Sequence, residues 1–273
     1  MTNMARDGKS SKMGKSPATG GGKRRRGRKA AKVGAGSLAV AQDRVSQHVG
    51  MVVDPCNSTI GKTAYRGQDG FVQRFSAINS VATTTETAFL YVYYPTYNSA
   101  ALILAATSAT AIPAISYGTP GPGQSFLLAN SGQSRPVGAC LDIDYLGTEL
   151  NRQGLLAMGS VKASLFSAAT SVSAIQALLG HPIRVPDNTA SVKWIPSPAD
   201  EGYWSTSASA PEEPGDRNVI VIAGSGFSIA TQFQITTTLI SEWQPKTGLG
   251  FHVNSPNTAD APAGLERVRT SLS

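Results

Sequence analysis

Thr85-Glu86-Thr87-Ala88-Phe89-Leu90-Tyr91-Val92-Tyr93-Tyr94 is the stretch on which the fold turns. In an extended chain Phe89, Tyr91 and Tyr93 point to one side, and Leu90, Val92 and Tyr94 to the other. A strand apolar on both faces is buried on both, and Pro95 ends it. This chain therefore has an interior strand with material above and below it.

Working outward, period-two patterns recur on both sides. Val72, Arg74, Ser76 and Ile78 alternate with Gln73, Phe75 and Ala77, between Gly70 and Asn79. Ala100 to Ala106 is short and apolar, ambiguous between strand and helix. Pro113 to Pro136, rich in Gly, Pro and Ser, reads as a surface loop. In Val137 to Leu146, Ala139, Leu141, Ile143 and Tyr145 share a face opposite Cys140, Asp142 and Asp144. Further strands are expected at Leu155 to Ala163, Ala190 to Ile195, Gly202 to Thr206 and Val219 to Ala223. The longest alternating run is Thr231 to Trp243, with Phe233, Ile235, Leu239 and Trp243 opposite Gln234, Thr236, Thr238 and Glu242. One helix stands out: Val172, Ile175, Leu178 and Leu179 follow Ser171 at three- and four-residue spacing, and Gly180 and Pro182 close it. Eight strands without a β-α-β rhythm predict an all-β fold, an eight-stranded antiparallel jelly-roll sandwich with one or two short helices.

Charge divides the chain in two. Residues 1–32 carry eleven basic side chains (Arg6, Lys9, Lys12, Lys15, Lys23, Arg24, Arg25, Arg26, Arg28, Lys29 and Lys32) against Asp7 alone, a net of +10. The other 241 residues carry thirteen basic and sixteen acidic side chains, a net of −3. A segment of charge, Gly, Ser and Ala buries too little surface to offset its ordering entropy, so it is expected to be disordered when free. Its partner must be a polyanion, with nucleic acid the first candidate. The organisation expected is a disordered polybasic arm over residues 1–48, a sandwich domain over 49–245 and a tail over 246–273. No run of roughly 18 apolar residues occurs, so no membrane span or secretory signal is expected. Cys56 and Cys140, with no C-x-x-C spacing, read as free cytosolic thiols sooner than a disulfide.

Several segments together resemble the shell domains of tombusvirus-like and nodavirus-like capsid proteins. Ala139-Cys140-Leu141-Asp142-Ile143-Asp144-Tyr145-Leu146-Gly147-Thr148-Glu149-Leu150-Asn151-Arg152-Gln153-Gly154 is similar to an apolar strand, a Gly-Thr-x-Leu turn and a basic residue before Gly. Ile183-Arg184-Val185-Pro186 and Val192-Lys193-Trp194-Ile195-Pro196 resemble the region after the shell helix. Phe233 to Trp243, with Glu242-Trp243-Gln244-Pro245, looks like the last strand, and the basic arm is equally typical. The resemblance covers about residues 50 to 245 plus the arm. It implies a structural capsid protein of a small positive-strand RNA virus that self-assembles into an icosahedral virion shell, often with T=3 quasi-symmetry. The arm would face single-stranded genomic RNA, and assembly would take place in the host cytoplasm. Many relatives carry a protruding domain; with only about 28 residues after Gln244, none is expected here.

Asp142 and Asp144 fall on one strand face about 7 Å apart, where like charges repel unless a cation or basic group lies between them. The resemblance implies calcium between subunits, completed by Glu149, Asp187 or Asp200 of a neighbour; the alternative is a solvated or Arg-paired face. No other cofactor is expected. Catalysis finds little support, and the chain is not read as an enzyme. His48, His181 and His252 lack metal-ligand spacing and read as surface or hydrogen-bonded residues, and no G-x-S-x-G occurs. Gly14-Lys15-Ser16 lacks the preceding P-loop Gly, and Gly224-Ser225-Gly226 lacks the third Gly of a dinucleotide loop. Some nodavirus-like capsids cleave themselves after Asn near the C-terminus; Asn254-Ser255 and Asn257-Thr258 are the bonds of that kind here, without an identifiable catalytic partner. Trp194, Trp204 and Trp243 read as core residues, with interface anchors the alternative. Rival readings are a non-assembling nucleic-acid-binding protein, an all-β enzyme or sugar-binding sandwich, and the capsid protein of a small DNA virus.

Overall fold

The computed structural model describes residues 35–65, 68–96, 100–168, 171–206, 217–228 and 231–247, and in them the doubly apolar strand lies inside two stacked sheets. Helix α1 (Ala35–Val53) leads to β1 (Phe71–Ala82), β2 (Ala88–Tyr93) and β3 (Ala100–Ala105). Helix α2 (Gln124–Asn130) runs directly into β4 (Ser131–Tyr145), followed by β5 (Leu155–Lys162) and helix α3 (Val172–Leu179). The chain continues through β6 (Ile183–Arg184), β7 (Ala190–Lys193), β8 (Trp204–Ser205), β9 (Asn218–Ser225) and β10 (Gln232–Pro245).

The first sheet has the order β1-β10-β4-β7, with β8 also on β4; the second is β3-β2-β9-β5-β6. All pairings are antiparallel. Without β3 and β8, the eight remaining strands alternate between sheets, except that β5 and β6 both lie in the second, which is jelly-roll order, two Greek keys folded over one core. The eight expected strands are present; β3 resolves the ambiguous Ala100 segment, and the two-residue β6 is a further strand that the sequence pattern did not predict. The expected loop from Pro113 to Pro136 is corrected: it holds α2 and the first residues of β4.

Alternation explains the core. Phe89, Tyr91 and Tyr93 of β2 meet Leu141 and Ile143 of β4, Ile220 and Ile222 of β9, and Phe233, Ile235 and Leu239 of β10 between the sheets. Trp194 is fully buried there and donates from Nε1 to the Asn218 carbonyl at 2.8 Å. The opposite side of β2, Leu90, Val92 and Tyr94, packs with Val219, Val221 and Ala223 of β9 beneath Val172 and Ile175 of α3. Ser171 caps α3, its hydroxyl accepting from the Ala174 amide at 3.3 Å.

On the far side of the first sheet, Met51 of α1 and Tyr65 pack on Val137 and Ile240. Helix α1 runs across residue 48, where composition drew the edge of the arm. Its approach is close: a Cβ on Gly138 of β4 would lie 2.4 Å from the Met51 carbonyl oxygen and 3.2 Å from Pro55 Cβ. Glycine is therefore required there.

Candidate functional site

Cross-strand register arranges the outer face of the first sheet in rows. Ile78, Thr236, Asp142 and Ser191 form one row across β1, β10, β4 and β7; Ser80, Gln234 and Asp144 form the next. Asp142 and Asp144 do share a face, and each has a hydroxyl donor: Ser191 Oγ donates to Asp142 at 2.5 Å, and Thr189 Oγ1 donates to Asp144. The three carboxylates expected to complete a cation site from a neighbour fare differently. Glu149 and Asp187 both engage Arg152, at 2.6 Å for Glu149. Asp200 is fully buried, accepting from Ser197 Oγ at 2.6 Å and the Ser197 amide at 2.8 Å, with Arg217 3.9 Å away. Burial pushes its carboxyl above the usual range.

The cysteines need a correction. Cys56, in the turn after α1, and Cys140, at the centre of β4, are joined in a disulfide with Cα atoms 6.0 Å apart. Sequence spacing hid this, because 84 residues separate the two and only sheet register brings β4 beneath the end of α1. The Asp142 carboxylate oxygens lie 3.4 and 3.6 Å from Cys56 Sγ. Cys56, Cys140 and Asp142 are the one group of potential metal-ligating atoms gathered within 4.8 Å among the described residues.

Beside this face lies a buried ionic centre with no sequence signal beyond two charges in alternating strands. Arg135 of β4 and Glu242 of β10 are register partners, 2% and 1% exposed. Glu242 accepts from Arg135 Nε at 2.7 Å, Thr63 Oγ1 at 2.8 Å and the Gly70 amide at 2.7 Å. The Arg135 guanidinium lies between the rings of Tyr65 and Tyr203, at 4.5 and 4.2 Å from their centroids. His48, read from sequence as a surface or hydrogen-bonded residue, is instead buried edge-on against Tyr65, its Nδ1 without a hydrogen-bond partner among the described residues. Burial, reinforced by the Arg135 charge, lowers its pKa from 6.5 to about 4.

These polar groups hold one another and present no nucleophile–base pair. An open depression lined by Gly132, Gln133, Gln244, Pro245, Lys246 and Thr247 contains a single ionisable side chain, Lys246, whose Nζ donates to the Leu128 carbonyl. His181 is exposed, while His252, Asn254 and Asn257 lie outside the described residues. So do all eleven basic residues from Arg6 to Lys32. Trp243 is buried against Phe71 and Phe126, as a core residue should be; the Trp204 side chain is outside the described set. No described helix is long and apolar enough to cross a membrane. The surface does expose apolar side chains, with Ile78 at 65%, Leu146 at 54% and Leu150 at 87%.

No family model matches the chain, and no curated protein does. Solved structures do. The subunit of T=1 particles derived from infectious bursal virus is similar at a TM-score of 0.58 and 9% identity, over 83% of this chain and 90% of that one. The T13 viral particle of the same virus gives 0.51 and 8%, over 87% of this chain and 92% of its own. A likeness to the prawn Macrobrachium rosenbergii nodavirus particle, at 0.34 and 11% over 62% of this chain and 96% of that one, is too low to carry an argument. The two-sheet jelly-roll fold is one that this chain shares with the subunits of these bursal virus particles.

Proposed function

We propose that this chain is the capsid protein of a small positive-strand RNA virus, closing into an icosahedral shell through its jelly roll and gathering genomic RNA with its basic N-terminal segment. The observation that carries this reading is the two-sheet fold, shared over 83% of this chain with the subunit of a viral particle and paired here with a +10 segment ahead of it. A body of net −3 can pack against copies of itself without strong long-range repulsion, while the segment's charge is cancelled by a polyanion. Each bound Lys or Arg releases a condensed counterion; with all ten net charges engaged, log K should fall against log salt with a slope of roughly −7. Residues 1–32 contain no aromatic side chain to stack on bases, so binding should be nearly blind to sequence.

The described body argues against a non-assembling nucleic-acid binder, because its arginines are largely spent internally. Arg44 pairs with Asp69 at 3.1 Å, Arg74 donates to the Ser58 carbonyl, Arg135 pairs with Glu242, and Arg152 pairs with Glu149 and Asp187. A virion component assembled in the host cytoplasm follows from this proposal.

The test is expression of the chain alone, followed by negative-stain microscopy, analytical ultracentrifugation and the 260/280 nm absorbance ratio. Uniform closed particles rich in nucleic acid are expected, their contents digested by ribonuclease and resistant to deoxyribonuclease once released. A low-mass species that binds RNA and never closes would overturn the capsid reading; DNA contents would replace RNA virus with DNA virus.

A further inference from the structure

We propose that Cys56 and Cys140 form a redox-controlled lock, closed and opened by exchange with small-molecule thiols and disulfides, that fastens the end of α1 to the first sheet under the guard of Asp142. The bond joins the turn that follows α1 to the middle of β4, and with two cysteines in the chain it is the one disulfide the chain can form within itself. Its Cα separation of 6.0 Å suits an ordinary disulfide. Nearby fastenings of the same segment are non-covalent: Arg74 to Ser58, Tyr65 Oη to the Pro136 carbonyl at 3.1 Å, and Thr63 to Glu242.

Access to the bond is one-sided. Cys140 is fully buried and Cys56 half-buried, so an incoming thiolate meets Cys56 first. It attacks Cys56 Sγ, and the Sγ–Sγ electron pair leaves with Cys140, which takes up a proton. A second thiol then resolves the mixed disulfide, so two small thiols are oxidised to one disulfide as both cysteines are reduced. The Asp142 carboxylate, 3.4 Å from Cys56 Sγ and pinned by Ser191, places a negative charge on that approach. A thiolate on a net-anionic carrier is repelled, and one whose carrier holds an ammonium group is repelled far less. The lock is a property of the single chain and does not rest on shell formation.

Full-length protein equilibrated with oxidised glutathione should show no free thiol, and two after reduction. Hydrogen exchange should quicken several-fold across residues 43–65 on reduction, while β2 and β9 stay protected; Cys140→Ser should match the reduced wild type. Asp142→Asn should speed reduction by glutathione several-fold, and not by positively charged cysteamine. Two thiols that stay free in the oxidising buffer, exchange that ignores reduction, or an Asp142→Asn rate gain equal for both reductants would each sink the lock as proposed. So would tight binding of cobalt(II) by the reduced protein with a thiolate charge-transfer band, which would make the trio a metal site.

Discussion

Removing the Glu242 carboxylate would leave the Arg135 guanidinium between two tyrosine rings without its counter-charge, and take the acceptor from the Thr63 hydroxyl and the Gly70 amide. Breaking a buried pair from one side is far more damaging than replacing both partners. Glu242→Ala is therefore expected to lose about 3–5 kcal/mol in denaturant unfolding, and Arg135→Met with Glu242→Leu distinctly less. His48 supplies a pH signature. Its folded pKa, about 4, lies below the ordinary 6.5, so between those values the unfolded chain binds a proton that the folded chain refuses. Stability due to His48 is thus intact above about pH 6.5 and lost on acidification towards pH 4, by about 3 kcal/mol in all. Asp200, whose carboxyl is shifted upward, contributes with the opposite sign, so the measurement is the difference between wild type and His48→Phe across that window. A difference that stays flat with pH would show that the imidazole titrates normally.

At the scale of the element, what could be read in advance depended on where each element finds its partners. β2 announces itself by being apolar on both faces, β10 and the later part of β4 by alternation, and α3 by its spacing and its Ser171 cap, because their own side chains carry the pattern. Ser171→Ala should cost about 1 kcal/mol, read as a lower unfolding midpoint at unchanged m-value. Helix α1 has no such signature. Its buried Met51 packs on Val137 and Ile240, 86 and 189 residues away in the chain, and the glycine that admits it, Gly138, looks like any strand interruption. The same covering layer turns polar positions of β10 inward, so Glu242 occupies a place that alternation alone marks as solvent-facing. Asp142 and Asp144 were legible as a pair on one face, whereas the disulfide beside them was hidden by sequence distance. Gly138→Ala should lift the end of α1, destabilise the protein by about 1–3 kcal/mol and raise hydrogen exchange in residues 43–53 before any strand responds.

For the whole molecule, the separation of charge from core predicts separable failures. Deleting residues 1–32 should leave the circular dichroism and unfolding midpoint of the sandwich unchanged while abolishing RNA-filled particles of normal size; normal filled particles from that truncation would refute the role given to the segment. The strand order carries one more consequence. β10 lies between β1 and β4, and β9 between β2 and β5, so the middle of each sheet comes from the last strands of the chain. During synthesis, residues 1–217 leave the ribosome with neither sheet able to close, since each waits for a central strand not yet made. The basic segment is therefore free to meet a polyanion through the whole of translation, and the surface that could meet another copy forms only at its end. Under the function proposed, the order of manufacture itself would put nucleic-acid capture before self-association.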